Sequence, residues 1–299
     1  MTDYGQPISF GLSLDPSVDK LGETRHLAQA AADGGLSYLA IQDHPYQPGY
    51  LDTWTMISHL AAETSRITFL TDVADLQLRP PTMLAKAAAS LGVLTGGRIA
   101  LGVGGGASAD AIAAMGGPRR SGPDTVAYTA EALQIMRQAL TGGVVRFDGA
   151  QHTVEGYAGG PVPPTPVPLW LGGQKPRMLA VAGQHSDGWI SPLNIYVPPE
   201  EVPSRQKIID DAARAAGREP TEIRRIYNVI GAIGASGGGT GLVGGAQLWV
   251  DTLTRWAVDL GFDMFIFWPT TSPRSQLRAF TELIVPAVRA QVNEERGQR

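Results

Sequence analysis

Few residues in this sequence combine reactive side chains with a position from which they could act. Asp43-His44 stands where the apolar run Leu36 to Ile41 gives way to a loop rich in Pro, Gly and Tyr. A carboxylate beside an imidazole can exchange protons or hold a cofactor ring. An aspartate in a turn and a histidine packed beneath the loop would leave the same trace. No second histidine follows one helical turn on, which argues against a metal pair. Asp72-Val73 closes another apolar run, Arg66 to Val73. An acid there needs a reason, either a ligand or the N–H groups of a turn. Gly104-Gly105-Gly106 and Gly172-Gly173-Gln174 each end a further apolar run, and the second leads into a helix start at Pro176. Bare N–H groups at such turns can approach a phosphate, although two tight turns explain the glycines equally well. Neither stretch has the order of a dinucleotide or P-loop fingerprint.

Other conspicuous residues read more plainly. Trp170, Trp189 and Trp268 fall in or at the ends of apolar runs, where core packing is the favoured reading over walling a flat ring. His26, His59, His152 and His185 fall on helices or on a long excursion and read as structural. Arg119-Arg120 reads as a solvated pair, with attraction of an anionic substrate as the alternative.

The elements that must position these residues are clearest between Arg66 and Gly106. Apolar Arg66 to Val73 predicts a strand buried on both faces. Pro80 and Pro81 open a helix from Thr82 to Leu94, stopped by Thr95-Gly96-Gly97. Arg98 to Val103 is a second strand. A right-handed βαβ unit makes the two strands parallel. Their C-terminal ends then share a rim, where parallel α/β folds bind ligands. The same alternation recurs along the chain. Strands are predicted at Ile8 to Leu14, Leu36 to Ile41, Val167 to Leu171, Asp187 to Ile190, Glu222 to Ile233 and Met264 to Trp268. An excursion from Ala107 to Pro166 follows the fourth strand, with a helix at Asp124 to Leu140 and a hairpin about Asp148-Gly149. Eight strands alternating with helices predict one (β/α)8 barrel domain over residues 1–299. A doubly wound open sheet is the alternative, since periodicity cannot tell a closed sheet from an open one.

The whole-chain numbers set bounds. The chain has 299 residues and a net charge of −4 without a basic block, which argues against nucleic-acid binding. It has no cysteine, which removes thiolate catalysis and Cys-zinc sites. No run approaches the roughly 18 apolar residues of a membrane span, and a soluble cytoplasmic protein is expected.

Taken together these blocks resemble the bacterial-luciferase-like flavin-dependent oxidoreductases, over nearly the whole chain. The stretch LAIQDHPYQPGYLDTWTMISHLAAET resembles that family's second-strand region. RITFLTDVADLQLRPPTMLAKAAASLGVLTGGRIALGVGGG resembles its most recognisable segment. VPLWLGGQKPRMLAVAGQHSDGWI and WVDTLTRWAVDLGFDMFIFWP resemble later βα units. The resemblance implies a (β/α)8 barrel with FMN or the deazaflavin F420 at its C-terminal rim. It implies hydride transfer to or from that ring, with monooxygenation of a small organic substrate as a variant. Asp43-His44 resembles the pair of the F420-using branch, which tilts the expectation to F420, with His44 and Asp43 as the catalytic candidates. Asp72-Val73 falls where many relatives carry a non-proline cis peptide against the cofactor ring. The family's phosphate contacts correspond to Gly104, Gly105, Gly106, Gly172, Gly173 and Gln174. Relatives that oxidise sugar phosphates carry a glutamate where this chain has Ala107, which argues against that substrate.

Two further readings stay open: an aldolase- or isomerase-like barrel on phosphorylated substrates, and a non-catalytic flavin carrier. The first would want a lysine at a strand end, and Lys20, Lys86, Lys175 and Lys207 are all assigned to helices or turns. Helices Asp52 to Thr64 and Thr82 to Leu94 read as apolar around much of their circumference, which predicts a homodimer through them. The segment Gly234 to Gly245 reads as a glycine-rich stretch too poor in side chains to pack, either a connector or a lid over the ring.

Overall fold

The apolar runs become strands and the Pro/Gly punctuation becomes the turns between them. The computed structural model of the chain describes residues 3–120, 122–234 and 239–298. In order these hold β1 (Ser9–Leu14), α1 (Leu21–Asp33), β2 (Tyr38–Ile41), α2 (Thr53–Glu63), β3 (Thr68–Thr71), β4 (Ala74–Asp75), α3 (Pro81–Leu94) and β5 (Ile99–Gly104). The excursion carries α4 (Ala109–Ala114), α5 (Gly122–Leu140) and the antiparallel hairpin β6 (Val144–Asp148) and β7 (Thr153–Ala158). The chain then returns through β8 (Leu169–Gly172), α6 (Pro176–His185), β9 (Gly188–Leu193), α7 (Val202–Ala215), β10 (Arg224–Ile233) and β11 (Leu242–Gly244). It ends with α8 (Ala246–Val258), β12 (Met264–Pro269), α9 (Pro273–Ala279) and α10 (Val285–Gly297).

Strands β1, β2, β3, β5, β8, β9, β10 and β12 pair in that order, every pair parallel, and β12 pairs back to β1. The sheet is therefore closed, a (β/α)8 barrel rather than the open sheet. Two apolar layers hold it. Inside the barrel, Ala40, Leu70, Ala100, Trp170, Ile190, Ile226, Met264 and Ile266 fill the bore. Outside it, a larger layer, which includes Phe10, Leu39, Phe69 and Leu101 of the strands, packs against the helices. Layered side chains make the barrel a filled core rather than a pore, so ligands are confined to its ends. The helix starts follow local chemistry. Asp52 caps α2 by accepting from the Thr55 N–H at 2.9 Å, and Pro81 is the first residue of α3.

Three expectations are corrected. Leu242 to Gly244 is not unpacked: it forms β11 and pairs with Gly231 to Ile233 of β10. The close approach of the two backbones explains the glycines there, since a Cβ on Gly231 would lie 2.0 Å from the Leu242 carbonyl oxygen. Residues 235–238, on which the lid expectation largely rested, lie outside the described residues. The last helix is not one piece: a wide π-type turn, Phe280–Ile284, separates α9 from α10 just ahead of Pro286, which lacks an N–H to donate. Helix α2 is not apolar all round. Trp54, Met56, Ile57 and Leu60 are buried, while Thr55, Ser58, His59 and Glu63 face outward. Among the described residues no helix is long and apolar enough to cross a membrane.

Candidate active site

The C-terminal ends of the strands surround a cavity of about 450 Å³, a size typical of small-molecule sites. Gln42 and His44 reach it from the end of β2, Asp72 and Val73 from the end of β3, and Gly104 to Ala107 from β5. Gly172 to Gln174 follow β8, Ile190, Leu193 and Tyr196 come from β9 and the loop beyond, and Asn228 and Trp268 from β10 and β12. The two glycine turns and the Asp72-Val73 pair, distant in sequence, thus border one space. The Asp72-Val73 peptide is cis, the feature the resemblance implied for this position.

Val73 accounts for two of the glycines. A Cβ on Gly104 would stand 2.6 Å from its Cγ2, and one on Gly172 would stand 3.0 Å from its Cγ1. A side chain at Gly104 would collide with the valine and one at Gly172 would crowd it, so the wall between β5 and β8 is shaped by both glycines. Gly106 has φ +94°, a backbone that only glycine adopts cheaply. Close approach is therefore part of why these turns are glycine, beside any phosphate they receive.

The neighbours Asp43 and His44 separate. His44 lines the cavity, and its Nδ1 pairs with the Tyr46 hydroxyl at 2.7 Å, leaving Nε2 for a ligand. Burial pushes its pKa below the ordinary histidine value, against the pull of the Asp43 charge. Asp43 is fully buried and does not border the cavity. Its two oxygens accept from Arg79 Nε and Nη2 at 2.8 and 2.9 Å, and Oδ2 also accepts the Asp75 N–H at 3.1 Å. Arg79 in turn bonds Asp52, the cap of α2. The Asp43 carboxylate is thus spent on tying the β2 loop to the segment between β4 and α3.

A chain of polar groups links β12, β10 and the end of β3. Trp268 Nε1 donates to Asn228 Oδ1 at 2.7 Å. With its oxygen occupied, the Asn228 amide donates to the Ser191 carbonyl at 3.1 Å and to Asp72 Oδ1 at 3.3 Å. Asp72 is partly exposed as a residue, yet its Oδ2 is buried and has no hydrogen-bond partner. Burial pushes this carboxyl up to about 7, opposed only by the Asn228 hydrogen bond. Asn228 was missed at the sequence level; a lone amide in the apolar run Arg224–Ile233 was the signal available. Trp268 also belongs to this site, against the core reading, whereas Trp170 and Trp189 are buried as that reading has it. Of the arginine pair, Arg119 is ion-paired with Asp110, and Arg120 lies 3.7 Å over the Tyr128 ring.

A closed barrel with polar groups gathered at its C-terminal rim, around a cis peptide and two glycine turns, defines a (β/α)8 class with its cavity above a filled bore. The chain belongs to the luciferase-like monooxygenase family, whose sequence model matches residues 4–236. Among its relatives is the 5,10-methylenetetrahydromethanopterin reductase of Methanolobus tindarius, 32% identical over 221 residues, which cover 72% of this chain and 63% of the relative. The chain spans about 63% of the length of the curated relatives it matches first, uncharacterised proteins of Mycobacterium bovis and Mycobacterium tuberculosis at 30% identity. In fold it is similar to an F420-dependent secondary alcohol dehydrogenase in complex with an F420-acetone adduct. That structure has TM-score 0.84 and 17% identity, covering 95% of this chain and 99% of the other.

Proposed function

We propose that the protein is an oxidoreductase that moves a hydride between a small organic substrate and a flavin-type ring, F420 in preference to FMN. The observation that carries this reading is the convergence on one cavity of His44, Asp72-Val73 and the turns Gly104 to Gly106 and Gly172 to Gln174. The residues fit such a group. Val73 and Trp268 give the cavity apolar surface for a ring, while a Cβ at Gly104 would clash with Val73 and one at Gly172 would crowd it. The glycine turns and the start of α6 suit the anionic tail. When bound, the ring would supply the hydride chemistry, which no side chain can. The protein's own part is to bind, orient and exclude water. Val73 would back the ring and His44 Nε2 would offer a hydrogen bond to ring or substrate, while Asp43 holds the His44 loop in place through Arg79.

The F420 preference rests on the Asp43-His44 pair and on relatives whose names are F420-dependent. Oxygen insertion is the variant to be expected if FMN is the cofactor. Sugar phosphates are not proposed as substrates, because Ala107 brings no carboxylate to the cavity. No lysine lines it either, which disfavours a Schiff-base aldolase. A homodimer through α3 and a cytoplasmic location complete the proposal. Titrating cofactor-free protein with F420 and with FMN, followed by fluorescence, tests it. Binding of F420 is expected. Tight FMN binding with no F420 binding reverses the preference, and binding of neither sinks the redox reading.

A further inference from the structure

The cavity contains one acid whose bonding is incomplete. Asp72 Oδ1 accepts from the Asn228 amide, and that amide cannot turn its oxygen toward Asp72 because Trp268 Nε1 holds it. Oδ2 has no partner among the described residues. A buried carboxyl oxygen left unpaired is costly, and a ligand group in the cavity is what would complete it. The charged surroundings leave this acid alone. Among the described residues His44 and Tyr196 are the other titratable side chains lining the cavity, no lysine or arginine borders it, and Asp43 is neutralised by Arg79 behind it. Away from the glycine turns that suit the cofactor's anionic tail, an anionic substrate head would therefore meet no cationic side chain among the described residues. The group that suits Oδ2 is a neutral hydrogen-bond donor, a hydroxyl.

We propose that Asp72 is the proton-exchanging residue of the site, acting on a neutral substrate whose reacting carbon bears a hydroxyl. The proposal rests on the redox reading above. In the oxidising direction the substrate O–H and the C–H of the same carbon both break. Oδ2 gains the proton, the C–H hydrogen leaves with both electrons as hydride to the oxidised flavin-type cofactor, and the C–O bond becomes C=O. In the reducing direction the same oxygen returns the proton to the new hydroxyl. An acid that burial has raised to about 7 is suited to both directions near neutral pH. This assigns a proton carrier that does not depend on position 107, and it gives Asn228 and Trp268 the role of positioning residues.

Two readouts test it. Infrared difference spectra of the cofactor-free protein, from about pH 5 to about pH 9, should show a protonated carboxyl band disappearing with a midpoint near neutral pH. The band should be absent from Asp72→Asn, and its midpoint should move to higher pH in Trp268→Phe, where Asn228 is no longer held. In cofactor-loaded enzyme with a panel of small alcohols and ketones, Asp72→Asn should lose about 10²–10⁴-fold in kcat. The kcat–pH profile of Trp268→Phe should shift in parallel with its infrared midpoint. Turnover by Asp72→Asn with the parent's kcat and pH profile would overturn the assignment, as would a band that is lost in Asp72→Asn and titrates at an ordinary aspartate value; the raised Asp263 carboxyl is common to parent and variant and cancels between them. Failure of both cofactors to bind the parent is a separate outcome that removes the redox reading, since the infrared measurement is made without cofactor.

Discussion

Asp72 places an acid where charge is costly, and that cost enters the stability of the protein as well as its chemistry. Its pKa rises from 3.8 to about 7 on folding, so between those values the folded state keeps a proton that the unfolded chain has lost. Stability therefore falls as pH rises through this window and is lowest above it. A shift of this size corresponds to roughly 4 kcal/mol as an upper bound. Asp72→Asn, which cannot ionise, should be more stable than the parent at pH 8, with a smaller advantage at pH 5; urea denaturation at both pH values checks this. An equal advantage at the two pH values would mean that burial does not control the group. The glycine wall makes a second residue-level prediction. Gly104→Ala forces its Cβ to within 2.6 Å of Val73 Cγ2. It should cost about 1–3 kcal/mol and weaken cofactor binding. Val73→Ala in the same chain should recover much of the stability, because the clash is with that side chain and not with backbone.

Between elements, the group that matters most is Asp43, in the ion pair with Arg79 that reaches on to Asp52. It connects the loop bearing His44, the approach to α3 and the cap of α2. Removing one partner of a buried pair costs about 3–5 kcal/mol. Asp43→Ala belongs at the lower end, since Arg79 keeps Asp52 and its side chain is 21% exposed. Thermal or urea unfolding should show this loss, and cofactor affinity should fall with it because the His44 loop is released. Asp43→Ala with parental stability would show that the pair is dispensable. The pairing of β11 with β10 is a second inter-element feature. Gly241 has φ +82°, and a Cβ there would lie 2.0 Å from the Ile230 carbonyl oxygen. Backbone cannot yield as a side chain can, so Gly241→Ala should separate the two strands, read as faster amide exchange over Leu242–Gly244.

For the whole molecule, the outer surface of α3 gathers several of the exposed large apolar side chains of the described residues. Met83, Val93 and Leu94 are 62%, 46% and 81% exposed, whereas the outward residues of α2 are polar. The proposed homodimer is accordingly centred on α3 alone. Sedimentation velocity at micromolar concentration should find a dimer, and Leu94→Lys should shift it to monomer without changing the unfolding midpoint. A monomeric parent would remove the proposal. Much of this architecture was legible in the residues. Apolar runs bounded by Gly and Pro set the strands, and parallel pairing placed Asp72-Val73 and both glycine turns on one rim. Those features depend on propensities acting over a few neighbouring residues, and local order is what a sequence displays. Closure of the sheet was not legible, because the pairing of β9 with β10 and of β12 with β1 depends on how all the strands stagger together. Nor could adjacent residues declare that His44 faces the cavity while Asp43 turns to Arg79. The contact between Asn228 and Asp72 spans 156 residues of chain. Only the closed barrel brings those two side chains together, and with them the buried acid at the centre of the site.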